Sequence, residues 1–86
     1  MRVFFQRQPF LVEAYQYGAP SPPDWYEERV RSETIRESEH YCEILTFGGI
    51  VRVEREDWVV RDGYGRLSQC DRFDFERNYK LLKDPA

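Results

Sequence analysis

The chain has 86 residues, of which 41 % are hydrophobic and 16 % aromatic, so its composition is that of one small folded domain (1–86) and not of a disordered segment. Its formal net charge is −3, and it carries two cysteines and one histidine, which excludes a disulfide framework and a zinc site of ordinary spacing. No apolar stretch approaches the roughly 20 residues that span a bilayer. We therefore expect a soluble cytoplasmic protein that holds no cofactor or metal.

The first predicted element is a strand. Residues 10–17 (FLVEAYQY) are rich in β-forming residues and lie between a proline and a glycine, a pattern typical of a strand. Residues 3–5 begin the same ribbon. A turn-forming segment, GAPSPP, follows it.

Residues 24–31 (DWYEERVR) predict a short helix, because acidic residues in the first turn complement the helix dipole. Trp25, Tyr26 and Val30 are its expected core contacts. Residues 31–40 contain a single aliphatic residue, so we expect an exposed loop there.

The second half of the chain predicts mainly short strands. Strands are expected at 41–46, 50–53, 58–61 and 66–70, separated by turns that contain glycine or charged residues. Asp71 is a candidate N-cap for a helix over 72–79, in which Phe75 and Tyr79 share a face. Residues 80–86 are expected to form a short extended tail.

The resulting order, β-α-β-β-β-β-α, predicts an α+β fold. An economical arrangement is a curled antiparallel sheet of about five strands packed with one or two short helices.

Several motifs occur in a fixed order along almost the whole chain. They are Gln8-Pro9, VEAYQ at 12–16, Asp24-Trp25, LTFGG at 45–49, DWVV at 57–60, Gly65, Cys70, Phe75 and Tyr79. In this order the chain resembles the PGDYG family of small phage and prophage proteins, although Glu56 and Asp62 stand where that family has glycine. The resemblance implies a phage or prophage origin, the cytoplasm of a bacterial host and an α+β fold, and it supplies no activity.

Cys70 is the candidate nucleophile. A helix N-terminus lowers the pKa of a thiol, but a nucleophile also needs a base, and His40 is the only imidazole. Because free cysteines are among the most often buried residues, we interpret Cys70 as a core residue and predict no catalytic site. A small enzyme or nucleotide-binding protein that uses Cys70 is the alternative.

Three further patterns have a structural interpretation. Asp57 is suited to cap backbone N–H groups where a strand begins, and Trp58 to fill the core. The DGYG sequence at 62–65 precedes a strand rather than a helix, which favours a β-turn over a phosphate loop. The side chains of neighbouring carboxylates elsewhere in the sequence point away from each other on a helix or strand. We therefore interpret them as solvated surface groups.

The acidic segment at 24–43 is the strongest functional signal. Seven acidic residues against three arginines give it a local charge of −4, which suits it to dock a basic surface. Ordinary solubility is the competing explanation. The sequence shows no strongly basic face, so direct nucleic-acid binding is not expected.

We therefore predict a non-enzymatic protein-binding module, in its specific form an inhibitor of a host defence or nucleic-acid-handling complex. The predicted partner-binding residues are Trp25, Tyr26, Glu27, Glu28, Arg29, Glu37, Glu39 and Tyr41. The partner is a host or phage protein. A virion or assembly component that associates through an exposed strand edge is a further alternative.

Overall fold

Strands dominate the described part of the chain, which comprises residues 3–7 and 10–83 of the computed structural model. In chain order the elements are β1 (Val3–Arg7), β2 (Phe10–Gln16), α1 (Asp24–Arg31), β3 (Ile35–Glu37), β4 (Tyr41–Thr46), β5 (Gly49–Glu54), β6 (Trp58–Arg61), β7 (Leu67–Cys70), α2 (Arg72–Asn78) and β8 (Lys80–Lys83). The predicted α+β fold is confirmed, with eight strands in this part of the chain where about five were expected.

The strands form two antiparallel sheets. One has five strands in the order β7-β6-β2-β1-β8, and the other has three in the order β3-β4-β5. In the first sheet β8 pairs with β1, with Leu81 opposite Phe5. The sheet therefore joins segments that are far apart in sequence.

Alternation along the strands gives the five-stranded sheet two apolar faces. On β6, Val59 belongs to one buried cluster and the next residue, Val60, belongs to another. The first cluster lies between the two sheets and contains Tyr15, Tyr17, Tyr26, Ile35, Cys42, Ile44, Val53, Val59 and Leu67. The second lies against α2 and contains Val12, Val60 and Phe75, with Ala14, Trp58, Cys70 and Tyr79 packed around them.

Two aspartates fix the start of α2. The sequence predicts this role for Asp71, whereas Asp57 was expected to cap the beginning of a strand. The Asp71 side chain accepts a hydrogen bond from the Asp74 backbone N–H at 2.8 Å. Asp57, only 7 % exposed, accepts from the Arg72 backbone N–H at 3.0 Å. On the helix, Phe75 stacks on Trp58 with ring centroids 3.9 Å apart, so the expected core position of Trp58 is confirmed.

The expected exposed loop at 31–40 is wrong, and the expected short extended tail at 80–86 is in part a paired strand. Within the segment 31–40, Ile35–Glu37 is a strand paired with β4, and Ile35 is 1 % exposed. Within the expected tail, Lys80–Lys83 is strand β8, while residues 84–86 lie outside the described part. The proline and glutamine of the Gln8-Pro9 motif also lie outside it.

Candidate functional site

Helix α1 begins after two prolines, and a residue with a left-handed backbone conformation follows its C-terminal cap. Pro23 has extended backbone angles, and its carbonyl accepts hydrogen bonds from the N–H groups of Tyr26 and Glu27 at 3.0 and 3.2 Å. At the other end the Ser32 N–H donates to the Glu28 carbonyl at 3.0 Å. Glu33 follows with φ of 65°, the left-handed position at which helices usually place glycine.

The solvent-facing side of α1 is acidic. Asp24, Glu27, Glu28 and Arg31 are exposed and are spaced three or four residues apart, so they share one helix face. Tyr26 points the other way and is 1 % exposed. One arginine therefore accompanies three carboxylates on this face.

A hydrogen bond from Tyr26 joins α1 to β3. Its hydroxyl donates to Glu37 Oε2 at 2.9 Å. Burial raises the pKa of Tyr26, and the neighbouring Cys42 thiol and Glu37 carboxylate add to that effect. The phenol therefore stays protonated, and it positions Glu37 beside the helix.

The turn between β3 and β4 is anchored by Tyr17. Its hydroxyl lies 2.8 Å from the Ser38 carbonyl oxygen and 3.2 Å from the Tyr41 carbonyl oxygen, and its single proton is shared between these two acceptors. Glu39 and His40 lie at this turn, exposed, with His40 Nε2 3.8 Å from Glu39 Oε1. The carboxylate of Glu39 is thus presented next to β3.

We call the carboxylates that α1, β3 and their connecting turns expose the acidic surface. It consists of Asp24, Glu27, Glu28, Glu33, Glu37 and Glu39, all of them exposed. Among the described residues, Glu39 is the one member with a basic side chain within 4.0 Å, and that partner is His40. Ion pairs with carboxylates outside this surface are formed instead by Arg52, Arg61, Arg66, Arg72 and Arg77.

The eight predicted partner-binding residues divide by exposure. Glu27, Glu28, Glu37 and Glu39 are exposed and belong to the acidic surface, whereas Trp25, Arg29 and Tyr41 are half-buried, and Tyr26 is buried. Tyr26 therefore supports the surface from within the core.

Two of the half-buried residues have partners inside the chain. Arg29 donates to the Gly65 carbonyl oxygen at 2.6 Å, which attaches α1 to the turn between β6 and β7. The ring of Tyr41 lies under the Arg52 guanidinium, with 4.0 Å between the Arg52 Cζ and the ring centroid. Both side chains are held at the border of the acidic surface.

The structure does not bring Cys70 and His40 together. Cys70 packs in the cluster beneath α2, while the His40 imidazole is exposed at the turn between β3 and β4. Within the described residues, no group of three or more His, Cys, Asp or Glu side chains is arranged to hold a metal ion.

Sequence reasoning missed an exposed apolar tip and a groove. The hairpin tip, defined as Leu45, Phe47 and Ile50, is formed by β4, β5 and their turn, and its side chains are 55 %, 91 % and 71 % exposed. The groove, of about 550 Å³, lies on the α2 side of the five-stranded sheet, where Val60 and Ser68 are among its lining residues. Strand alternation in LTFGGI could have placed Leu45 and Ile50 on one face, but their exposure depends on how the two sheets pack.

Comparison of the chain with family models, with curated proteins and with solved structures finds no match. The resemblance to the PGDYG family therefore stays a prediction. In the part of the chain that the structure describes, neither helix has the length and apolar character required to cross a membrane.

Proposed function

We propose that this protein is a non-enzymatic protein-binding module whose acidic surface docks a lysine- or arginine-rich surface of a partner. The observation that carries the proposal is the concentration of exposed carboxylates on α1 and β3, which lack arginine or lysine partners among the described residues.

Clustered like charges disfavour the free protein and favour a cationic partner. Asp24 and Glu28 are four residues apart on one face of α1, a spacing at which like charges destabilise a helix. A basic partner removes that repulsion and is attracted by the summed field of the surface, which accelerates encounter. Ordinary solubility is the competing explanation for these charges, and the charge-reversal experiment below distinguishes it from docking.

The resemblance to a phage and prophage family gives the proposal a more specific form. Proteins and complexes that handle nucleic acid present basic grooves, and an acidic surface competes for such grooves. In this form the protein inhibits a host defence or nucleic-acid-handling complex in the bacterial cytoplasm.

The test is capture of a partner by tagged protein from bacterial lysate, followed by titration with the purified partner. Glu27→Lys/Glu28→Lys reverses two charges at the centre of the acidic surface. We expect the unsubstituted protein to form a saturable complex of fixed stoichiometry. The variant should bind the partner with an affinity at least roughly tenfold lower than that of the unsubstituted protein.

A matched control distinguishes a local contact from a net-charge effect. Gln69→Lys/Glu76→Lys/Asn78→Lys makes the same change in net charge at exposed positions on β7 and α2, outside the acidic surface, and it should retain the partner. If both charge variants lose the partner equally, or if the unsubstituted protein captures nothing above background, the proposal is wrong.

A further inference from the structure

The turn between β6 and β7 contains the one aspartate–glycine pair of the chain, Asp62-Gly63. In such a pair the backbone nitrogen of the glycine is well placed to attack the aspartate side-chain carbon Cγ, because glycine has no Cβ to obstruct the approach. Gly63 is exposed, and a Cβ at its position would meet no atom of the described chain within 4 Å. The space beside this peptide bond is therefore open.

The attack converts the pair in two balanced steps. The Gly63 nitrogen bonds to Asp62 Cγ and loses its proton while Cγ loses a hydroxyl, so a succinimide ring forms and one water molecule leaves. A second water molecule then opens the ring. Addition at Cγ restores aspartate, and addition at the backbone carbonyl carbon routes the main chain through the side chain as an isoaspartate. The first step needs an uncharged carboxyl, because a carboxylate has no hydroxyl to lose.

Hydrogen bonds keep the Asp62 carboxyl charged in the folded chain. Oδ1 accepts from the backbone N–H groups of Tyr64 and Arg66, each at 2.9 Å, and Oδ2 accepts from Arg66 Nε at 3.0 Å. Slight burial opposes the shift, but the hydrogen bonds from the Arg66 and Tyr64 backbone and from the Arg66 side chain hold the pKa of Asp62 below its ordinary value. The reactive, uncharged form is therefore rarer here than in an unfolded chain.

The backbone of the turn is held in place as well. The Asp62 N–H donates to the Arg66 carbonyl, and the Gly65 N–H donates to the Asp62 carbonyl, both at 3.0 Å. From α1, Arg29 donates to the Gly65 carbonyl at 2.6 Å. Ring closure requires rotation about the side-chain and backbone bonds of Asp62 until Cγ meets the Gly63 nitrogen, and the hydrogen bonds at the carboxylate and at the backbone resist that rotation.

We propose that Asp62 is a site of spontaneous isoaspartate formation, that the reaction proceeds through local opening of this turn, and that the Arg66 side chain restrains it in the folded protein. An isoaspartate adds a methylene group to the main chain and moves the carboxylate to the α-carbon. It therefore disrupts the turn to which Arg29 attaches α1.

Incubation of the full chain at neutral pH, folded or in guanidinium chloride, tests the proposal. Isoaspartate at position 62 is quantified by digestion and mass spectrometry with electron-transfer fragmentation, which distinguishes it from aspartate. A synthetic peptide of residues 60–67, incubated in both solvents, corrects for the effect of the denaturant on the reaction. The corrected rate should be at least about tenfold higher in the denatured chain, the factor expected from loss of one hydrogen bond to a charged group.

Substitution of Arg66 tests the assigned restraint. In the folded protein Arg66→Ala should accelerate the reaction about two- to fivefold, the range for an exposed ion pair. Arg77→Ala, which removes the exposed arginine paired with Asp74 on α2, is the matched control and should leave the rate unchanged. Tyr26→Phe, which loses the hydrogen bond between α1 and β3, controls for a general loss of stability and should also leave it unchanged.

Three results would overturn the proposal. Equal corrected rates in the folded and the denatured chain would show that the turn gives no protection. A rate for Arg66→Ala equal to that of the unsubstituted protein would remove the role of the side chain. Equal acceleration by Tyr26→Phe and Arg66→Ala would show that the reaction proceeds through global unfolding and not through opening of the turn.

Discussion

Replacing Tyr26 with phenylalanine tests the hydrogen bond that positions the acidic surface. The Tyr26 ring is 1 % exposed and remains packed in the variant, so the change removes the hydroxyl with its 2.9 Å bond to Glu37 and its interaction with the Cys42 thiol. Hydrogen bonds to charged acceptors contribute about 1.5–3 kcal/mol. Because Glu37 is exposed, its carboxylate is hydrated by water in the variant. We therefore expect the free energy of unfolding to fall by only about 1 kcal/mol. For a domain of this size that loss lowers Tm by roughly 4–8 °C.

A double-mutant cycle with Glu37→Gln separates this bond from other effects of the substitution. Urea unfolding followed by far-UV circular dichroism should give a coupling of about 0.5–1 kcal/mol between the two positions. Tyr64→Phe, at an 85 % exposed ring, is the control and should be neutral. A coupling indistinguishable from zero, with Tyr26→Phe as stable as the unsubstituted protein, would refute the assigned role of the bond.

Three further predictions concern other features of the fold. Glu33→Gly should raise stability by about 0.5–1 kcal/mol, because φ of 65° costs a residue with a Cβ; Glu33→Ala removes the same charge without that gain, and equal effects would contradict the explanation. Asp57→Ala should cost about 2 kcal/mol in urea unfolding, since it leaves the Arg72 backbone N–H without its acceptor, whereas truncation of the exposed Glu56 should cost less than half as much. Burial raises the pKa of Cys42 from 9.0 to about 11. As pH rises, the thiol of the unfolded chain therefore ionises before that of the folded protein, and the free energy of unfolding falls between these two values. Below pH 9 this contribution to stability is fully present. Cys42→Val should show a smaller decrease in the urea midpoint between about pH 8 and about pH 10.5, and an unchanged decrease would disprove this assignment.

Elements with a strong local signal were predicted well. The range 24–31 of α1 and the cap at Asp71 agree with the structure, because prolines, first-turn acids and a capping carboxylate act within a few residues. Strand β4 at 41–46 also agrees, since its β-forming residues are continuous.

The missed strands depend on distant partners. Strand β3 has three residues, and its one aliphatic side chain, Ile35, is buried through pairing with Ile44 on β4. Strand β8 pairs with β1 from the opposite end of the sequence. Neither pairing leaves a periodic pattern within the segment itself, and so local reasoning predicted an exposed loop and an unpaired tail.

The charged part of the candidate site was predictable, and its support was not. Carboxylates are almost never buried without a partner, so the exposure of Glu27 and Glu28 follows from residue type. The burial of Tyr26 and its bond to Glu37 depend on the way α1 packs on β3. The exposure of Phe47 depends likewise on tertiary structure, because the same ring in a hairpin turn is covered in folds where another element lies above it.

Amide hydrogen exchange of the protein, alone and in complex with its captured partner, tests the central proposal most directly. Slower exchange across 24–39, at the acidic surface, is the predicted result, with little change at the hairpin tip or at 62–68 beside the groove. Protection confined to the tip or the groove, with 24–39 unchanged, would contradict the assignment of the acidic surface as the docking site.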